Sequence, residues 1–349
     1  MILEHADFDG HEQVMFCHDS SVGLKAIIAI HSTALGPAAG GCRMHPYASE
    51  AEALTDVLRL SKGMTYKNAI AGLPLGGGKC VIIADPSSLQ KPKLLRAFAQ
   101  HVQTLGGRYW TAIDVGVGPA DADILAESCD YIFARASQYE SGFNPSAFTA
   151  YGGFLGIKAV ANNILGRQDL SGVRVAVQGL GATGYALCEH LAKVGATLVV
   201  SDIRQQRVVQ AVAEFGAKPV EPDHIHCSDV DIWAPCAMGA VLNDQSIPMI
   251  KAKAICGLAN NQLAEDRHGE MLRQAGIAYV PDYVVNGGGM MGASTVIFSQ
   301  PSREESMKRI EGLYDVISTI LERANNQACA SSKIADEMAI SRIQNEGQK

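Results

Sequence analysis

The chain has 349 residues, 47% of them hydrophobic and 19% charged, with a formal net charge of -7. That length supports two cores rather than one. The acidic balance argues against nucleic acid as a partner, because phosphate binding needs a concentrated basic surface. No apolar run approaches the ~20 residues that span a bilayer, so no membrane association is expected. The N-terminus, MILEHADFDGHEQ, carries acids where a secretory signal has basic residues and then an apolar stretch. Nine cysteines include no Cys-x-x-Cys pair, and Cys80 and Cys256 sit in apolar runs as small core residues. A reducing cytoplasm is the expected location.

In chain order, LKAIIAIH (24–31) predicts a strand, and GPAAGGCRM (36–44) a flexible stretch able to approach a ligand. Ser49 and Glu52 form a Ser-x-x-Glu capping box ahead of Leu54, Val57 and Leu58 at helical spacing. Lys67 and Lys79 then bracket KNAIAGLPLGGGK. Gly76, Gly77 and Gly78 leave no Cβ in the way of a small ligand, and CVIIAD (80–85) reads as a buried strand. Lys79 would stand at the edge of a core, where desolvation favours the neutral amine and makes it a candidate base. A glycine turn between two solvated lysines, or a phosphate cradle, is the alternative. Asp114, in GGRYWTAIDVG, is the next polar candidate, although position alone also suits a plain turn residue.

A second organisation begins near Thr149. TAYGGFLGIKAVANNIL places Phe154, Ile157, Ala161 and Ile164 on one helical face and closes on Gly166. Pro145 and the Gly152-Gly153 pair predict a hinge over 144–153. The runs VRVAVQ, TLVVSD, DVDIWAP, AKAICGL and AYVPD, separated by helical or loop segments, predict a parallel doubly wound sheet. From Ser302, with a capping box to Glu305, an amphipathic helix is expected to about Asn325. HIHC (224–227) lacks a second ligand cluster, so no metal is expected, and Trp110 and Trp233 read as core residues.

GLGATG matches the dinucleotide fingerprint in its required context: a strand before it, a helix after it, and Asp202 at the end of the next strand. Gly179 makes the tight turn, Gly181 lets backbone N–H groups reach the pyrophosphate, and Gly184 lets helix and strand pack closely. Asp202 can accept both ribose hydroxyls and repels a 2′-phosphate, so NAD is favoured over NADP. Arg204 and Arg207 lie near enough to soften that preference. With the cofactor in the second half, two lysines and an aspartate in the first suit a carboxylate substrate. Hydride transfer with one carboxylate clamp and one lysine base fits oxidative deamination of an amino acid. A 2-hydroxy-acid dehydrogenase more usually relies on a histidine base and an arginine clamp.

The stretch from GGCRMHPYASEAEALTDVLRLSKGMTYKNAIAGLPLGGGKCVIIADP through GRYWTAIDVG, FTAYGGFLGIKA, APCAMGAVLN, ANNQL and PDYVVNGGG resembles the leucine, phenylalanine, valine and tryptophan dehydrogenase branch of the Glu/Leu/Phe/Val dehydrogenase family. The resemblance runs from Leu24 to about Met290. It implies an α/β protein of two domains with C-terminal helices. Residues 1–145 would form the α/β substrate and oligomerisation domain and 146–325 a Rossmann-type NAD domain, while 326–349 would return as a helix to the first. It further implies that Lys67 binds the substrate carboxylate with the backbone at Gly40 and Gly41, and that Lys79 is the base activating water. Asp114 would exchange a proton with the substrate amine. Thr149 and Asn261 would hold the nicotinamide carboxamide, with Ala237 and Asn260 lining that side of the cofactor, and the domains would close over the cleft. The partners are an L-amino acid, a 2-oxo acid and ammonium, and the chain would be a homo-oligomer, dimer or octamer.

The resemblance places the side-chain pocket at Ala39, Gly40, Met64, Ala112, Met290 and Ala293. Leucine enzymes usually carry a leucine and valines at the places of Ala39, Met290 and Ala293. The two alanines enlarge the pocket, while Met290 fills it from one side. Branched-chain amino acids are expected, leucine first, with phenylalanine or tryptophan as competitors. A catalytically silent NAD-binding sensor is the alternative of a different class.

Overall fold

The computed structural model describes residues 2–139, 144–298 and 303–346, which fall into two units. Residues 2–139, 296–298 and 339–346 make the first, and residues 144–295 and 303–338 the second. Strands Gln13–Asp19 (β1), Leu24–Ser32 (β2), Ala38–His45 (β3), Gly76–Ile83 (β4) and Tyr109–Ile113 (β5) form the first sheet, in the order β1-β2-β4-β3-β5. β4 is antiparallel to β2 and parallel to β3, so its backbone is bonded on both sides. The glycine triplet is the beginning of this strand rather than a turn ahead of it. A Cβ on Gly77 would lie 2.1 Å from the Thr65 hydroxyl, and one on Gly78 would lie 2.7 Å from the Tyr109 ring.

Alternation along the strands sorts the core into two faces. Ile27, Ala29 and Val81 pack with Val57 and Leu58 of Glu50–Ile70 (α1). Ile28, Ile30, Cys80 and Ile82 pack with Leu94, Leu95 and Phe98 of Lys91–Gln103 (α2) and with Leu125 of Pro119–Ala126 (α3). The short helix Ala136–Tyr139 (α4) follows. The Ser49 hydroxyl accepts from Glu52 N–H at 3.1 Å, as the capping box predicts, but the Glu52 carboxylate accepts from Ala48 N–H at 3.0 Å, one residue early.

The second unit opens with Pro145–Leu165 (α5), capped by Asn144 and ended by Gly166 at a φ of 66°. The expected hinge glycines lie inside this helix and are buried. A Cβ on Gly153 would meet the Leu258 side chain at 2.8 Å, so the pair serves close packing and not flexibility. Arg174–Gln178 (β6), Thr197–Ser201 (β7), Lys218–Pro219 (β8), Ile232–Pro235 (β9), Ala254–Ile255 (β10) and Ala278–Tyr279 (β11) form a parallel sheet in the order β11-β10-β9-β6-β7-β8. The order reverses at β6, which makes the sheet doubly wound. Trp233 is fully buried in β9. Helices Ala182–Lys193 (α6), Gln205–Phe215 (α7), Arg267–Gln274 (α8), Asp282–Val285 (α9) and Gly288–Ala293 (α10) complete this pattern.

The expected long helix is two, Arg303–Glu311 (α11) and Leu313–Gln327 (α12); Ser302, its expected cap, lies outside the described residues. Gly312 N–H bonds the Arg309 carbonyl at 3.2 Å, a three-residue step that interrupts the helical ladder. The last helix is Ser331–Glu346 (α13), in which Arg342 donates to the Ala69 carbonyl near the end of α1 at 2.7 Å. Among the described residues, no helix is long and apolar enough to cross a membrane.

Candidate active site

Parallel register sets Cys80 beside Cys42 and Cys42 beside Ile113. Alternation then puts Lys79, Gly41 and Ala112 in one row and Val81, Arg43 and Asp114 in the next, all on the α1 side. Gly41 leaves the gap between them: a Cβ there would sit 2.3 Å from the Ile113 carbonyl and 2.9 Å from the Asp114 side chain. Beside that gap Lys79 Nζ reaches Asp114 Oδ2 at 2.9 Å, and Arg43 Nε reaches the same oxygen at 3.1 Å. Arg43 Nη1 also holds Asp56 Oδ2 at 2.9 Å, where the Tyr47 hydroxyl donates at 2.5 Å. Lys79 is only 6% exposed, a depth at which a charge needs a partner. Burial pushes the Asp114 carboxyl up, but the Lys79 ammonium and then the Arg43 guanidinium outweigh it and bring its pKa down to about 2.

Lys67 is half-buried in the last turn of α1. Its neighbour Asn68 ties that turn to the strand beginnings, donating to the carbonyls of Gly76 at 2.6 Å and Ala39 at 3.3 Å. Ala39 and Ala112 are buried, and Gly40 faces Met64 so closely that a Cβ would lie 2.9 Å from its Cγ. Arg43 and Asp56 escaped the sequence reading. The signal was the alternation that places Arg43 beside the residue following β5.

In the second unit, the three fingerprint glycines differ in what surrounds them. Gly179 has a φ of 96°, and a Cβ there would lie 2.7 Å from that of Ala237. A Cβ on Gly184 would lie 2.0 Å from the Gly179 carbonyl oxygen, whereas one on Gly181 would find nothing closer than Arg204 at 3.9 Å. Asp202 follows β7 and accepts from Leu180 N–H at 2.6 Å, Arg204 N–H at 2.8 Å and Arg204 Nε at 3.0 Å. Burial pushes its carboxyl up, but Arg204 and the backbone donors bring it below the ordinary value. Arg207 turns instead to the Tyr185 ring, 5.8 Å from its centroid. An open glycine at the N-terminus of α6 and a carboxylate at the end of β7 are the features that a dinucleotide requires.

The Thr149 hydroxyl donates to the Pro145 carbonyl at 2.9 Å and lies against α10, where a Cβ on Gly289 would come within 2.4 Å of it. Met290 and Ala293 are on the same helix. Asn260 Oδ1 accepts from Asn286 Nδ2 at 2.7 Å, and Asn261 N–H donates to Asp282 at 2.7 Å. Asp282 and Asn286 were also missed as site residues in the sequence, although PDYVVNGGG was one of the stretches that carried the resemblance.

HIHC lies in a 3₁₀ helix, Pro222–Cys227, with Ile225 buried. Asp244, Glu265 and His268 converge elsewhere, but Arg267 bonds both carboxylates, at 2.5 and 2.9 Å, and supplies the positive charge itself.

Residues 11–131 match the dimerisation domain of the Glu/Leu/Phe/Val dehydrogenases, and residues 200–349 match their glutamate/leucine/phenylalanine/valine dehydrogenase domain. The chain belongs to the Glu/Leu/Phe/Val dehydrogenase family. It is an oxidoreductase of the amino-acid dehydrogenase type. Within the family it is 50% identical to the leucine dehydrogenase of Geobacillus stearothermophilus, over 98% of this chain and 93% of that one. It is 43% identical to the phenylalanine dehydrogenase of Caldalkalibacillus thermarum, over 96% of this chain and 91% of that one. The crystal structure of L-tryptophan dehydrogenase from Nostoc punctiforme superimposes with a TM-score of 0.86 at 42% identity, covering 97% of this chain and 98% of that one.

Proposed function

We propose that the protein carries out NAD-dependent oxidative deamination of an L-amino acid, leucine favoured, giving the 2-oxo acid and ammonium. The observation that carries this reading is the buried Lys79–Asp114 pair, 2.9 Å apart and reinforced by Arg43. A protein that only sensed NAD would have no use for a buried lysine in its other unit. NAD, when bound, takes the hydride from the substrate α-carbon. Lys67 neutralises the substrate carboxylate, with the backbone at Gly40 and Gly41 beside it. Asp114, kept an anion by its two cations, receives the substrate ammonium and takes up its proton as the C–N bond becomes an imine. Once Asp114 is neutral, Lys79 loses its counter-charge and releases a proton to solvent. The neutral amine then removes a proton from the water that attacks the imine carbon. Asp114 returns its proton to the substrate nitrogen, and ammonia leaves as the carbonyl forms.

Gly179, Gly181 and Gly184 hold the pyrophosphate, and Asp202 the adenosine ribose. Thr149 and Asn261 orient the carboxamide, with Ala237 and Asn260 beside it. NAD is favoured because Asp202 repels a 2′-phosphate, although Arg204 already occupies part of that carboxylate. The residues proposed to choose the substrate side chain are Ala39, Met64, Ala112, Met290 and Ala293. Fifty per cent identity to a leucine dehydrogenase supports leucine. Small alanines at 39 and 293 favour a second reading, in which phenylalanine or tryptophan is turned over as well. The match of residues 11–131 to a dimerisation domain supports a homo-oligomer.

The test is NADH formation with a panel of L-amino acids, and the reverse reaction with and without ammonium. Leucine should give the highest kcat/KM, NADP should replace NAD poorly, and the reverse reaction should need ammonium. Absence of turnover with leucine, valine, isoleucine, phenylalanine and tryptophan would sink the proposal.

A further inference from the structure

Asn261 has a φ of 54°, in the left-handed region, which asparagine visits more readily than other non-glycine residues but holds as a single conformation only when its surroundings fix it there. Two contacts do so. Its carbonyl accepts from Ala240 N–H at 2.7 Å, and its N–H donates to Asp282 Oδ2 at 2.7 Å. Asp282 stands at the start of α9 and is only 8% exposed. Its second oxygen accepts from the buried Tyr279 hydroxyl at 2.9 Å, and the Tyr279 carbonyl in turn accepts from Ser331 of α13 at 2.5 Å. The carboxylate is thus fixed from behind, and it holds the Asn261 N–H of the Asn260–Asn261 loop.

We propose that Asp282 is a positioning residue for the nicotinamide-side loop, acting on the cofactor through Asn261 and held in place by Tyr279. This rests on the reading above that Asn261 meets the nicotinamide carboxamide. Without the anchor, the loop has other backbone conformations open to it, and binding must bear the cost of ordering it. On that reading the adenosine end lies at Asp202, away from this loop, so only the nicotinamide end should register the loss.

The experiment is calorimetric titration of the full-length protein with NADH and with ADP-ribose, which lacks the nicotinamide. Asp282→Ala should weaken NADH binding about tenfold and leave ADP-ribose within about twofold. Asp282→Asn, whose amide oxygen still accepts from Asn261 N–H, should recover most of the affinity. Unchanged NADH binding in Asp282→Ala, or equal weakening of both ligands, overturns the proposal. Should Asp282→Ala fail to fold, Tyr279→Phe serves instead. It should weaken NADH about threefold and spare ADP-ribose, and no change there also overturns the proposal. Asn261→Ala separates the two layers of inference. If it leaves NADH affinity intact, the assignment of the loop to nicotinamide falls; if it weakens NADH while Asp282→Ala does not, only the role of Asp282 falls.

Discussion

The two units make their functional surfaces by opposite means. In the first, the proposed chemistry comes from buried charge: Lys79 and Arg43 each lie within 3.1 Å of Asp114 on a sheet face. In the second, it comes from missing side chains and directed backbone, three glycines around one turn and an asparagine held left-handed. Charge can be removed without disturbing the backbone. A glycine packed to 2.0 Å from a carbonyl cannot be replaced at all without moving the chain. The first kind of site should therefore lose activity before stability, and the tightly packed glycines of the second should lose both together.

The sharpest way to break that contrast is Lys79→Ala. Turnover should fall about 10³-fold, the order expected of a lost general base, while NADH titration gives an unchanged dissociation constant. Near-normal kcat would show that Lys79 is structural. In the second unit, Gly184→Ala should cost about 3 kcal/mol in denaturant unfolding. Gly181→Ala, whose Cβ meets open space, should keep its melting temperature and lose about tenfold in NADH affinity. Equal behaviour of the two variants would mean that packing does not distinguish these glycines.

Acid stability gives a third probe. The Asp114 carboxyl is lowered from 3.8 to about 2, so the folded state binds fewer protons than the unfolded one between those values. The ion pair's contribution is complete above about pH 4 and lost as the pH falls toward 2. It amounts to about 2 kcal/mol. Asp114→Asn should flatten the stability profile across this window, and an unaltered slope would show that the pair is not what acid breaks. The smallest effect expected is at Asp202. Asp202→Ser should shift the NADP-to-NAD ratio of kcat/KM about tenfold toward NADP, and no shift would assign the preference to other residues.

Much of this was legible in the residues themselves, for physical reasons. A lysine ahead of an apolar strand needs a reason to be there, and three glycines in a fixed pattern after a strand constrain the backbone whatever surrounds them. Arg43 and Asp282 were not legible, because their meaning lies in partners 71 and 21 residues away. Gly152 and Gly153 misled, since a glycine pair marks a hinge or a close packing contact equally well. Only the neighbour, Leu258, decides between them.

The glycine triplet of β4 also sets the terms on which this enzyme can diverge. Gly76, Gly77 and Gly78 are each walled in by atoms within 2.7 Å of where a Cβ would stand, on a strand bonded along both edges. That segment has almost no neutral neighbours in sequence space. Met64 on α1 and Met290 on α10 are only partly buried and adaptable in shape. With these methionines lining the side-chain pocket as proposed, a lineage, or a directed-evolution campaign, that explores new side chains on the substrate would travel through them while the glycines stand still.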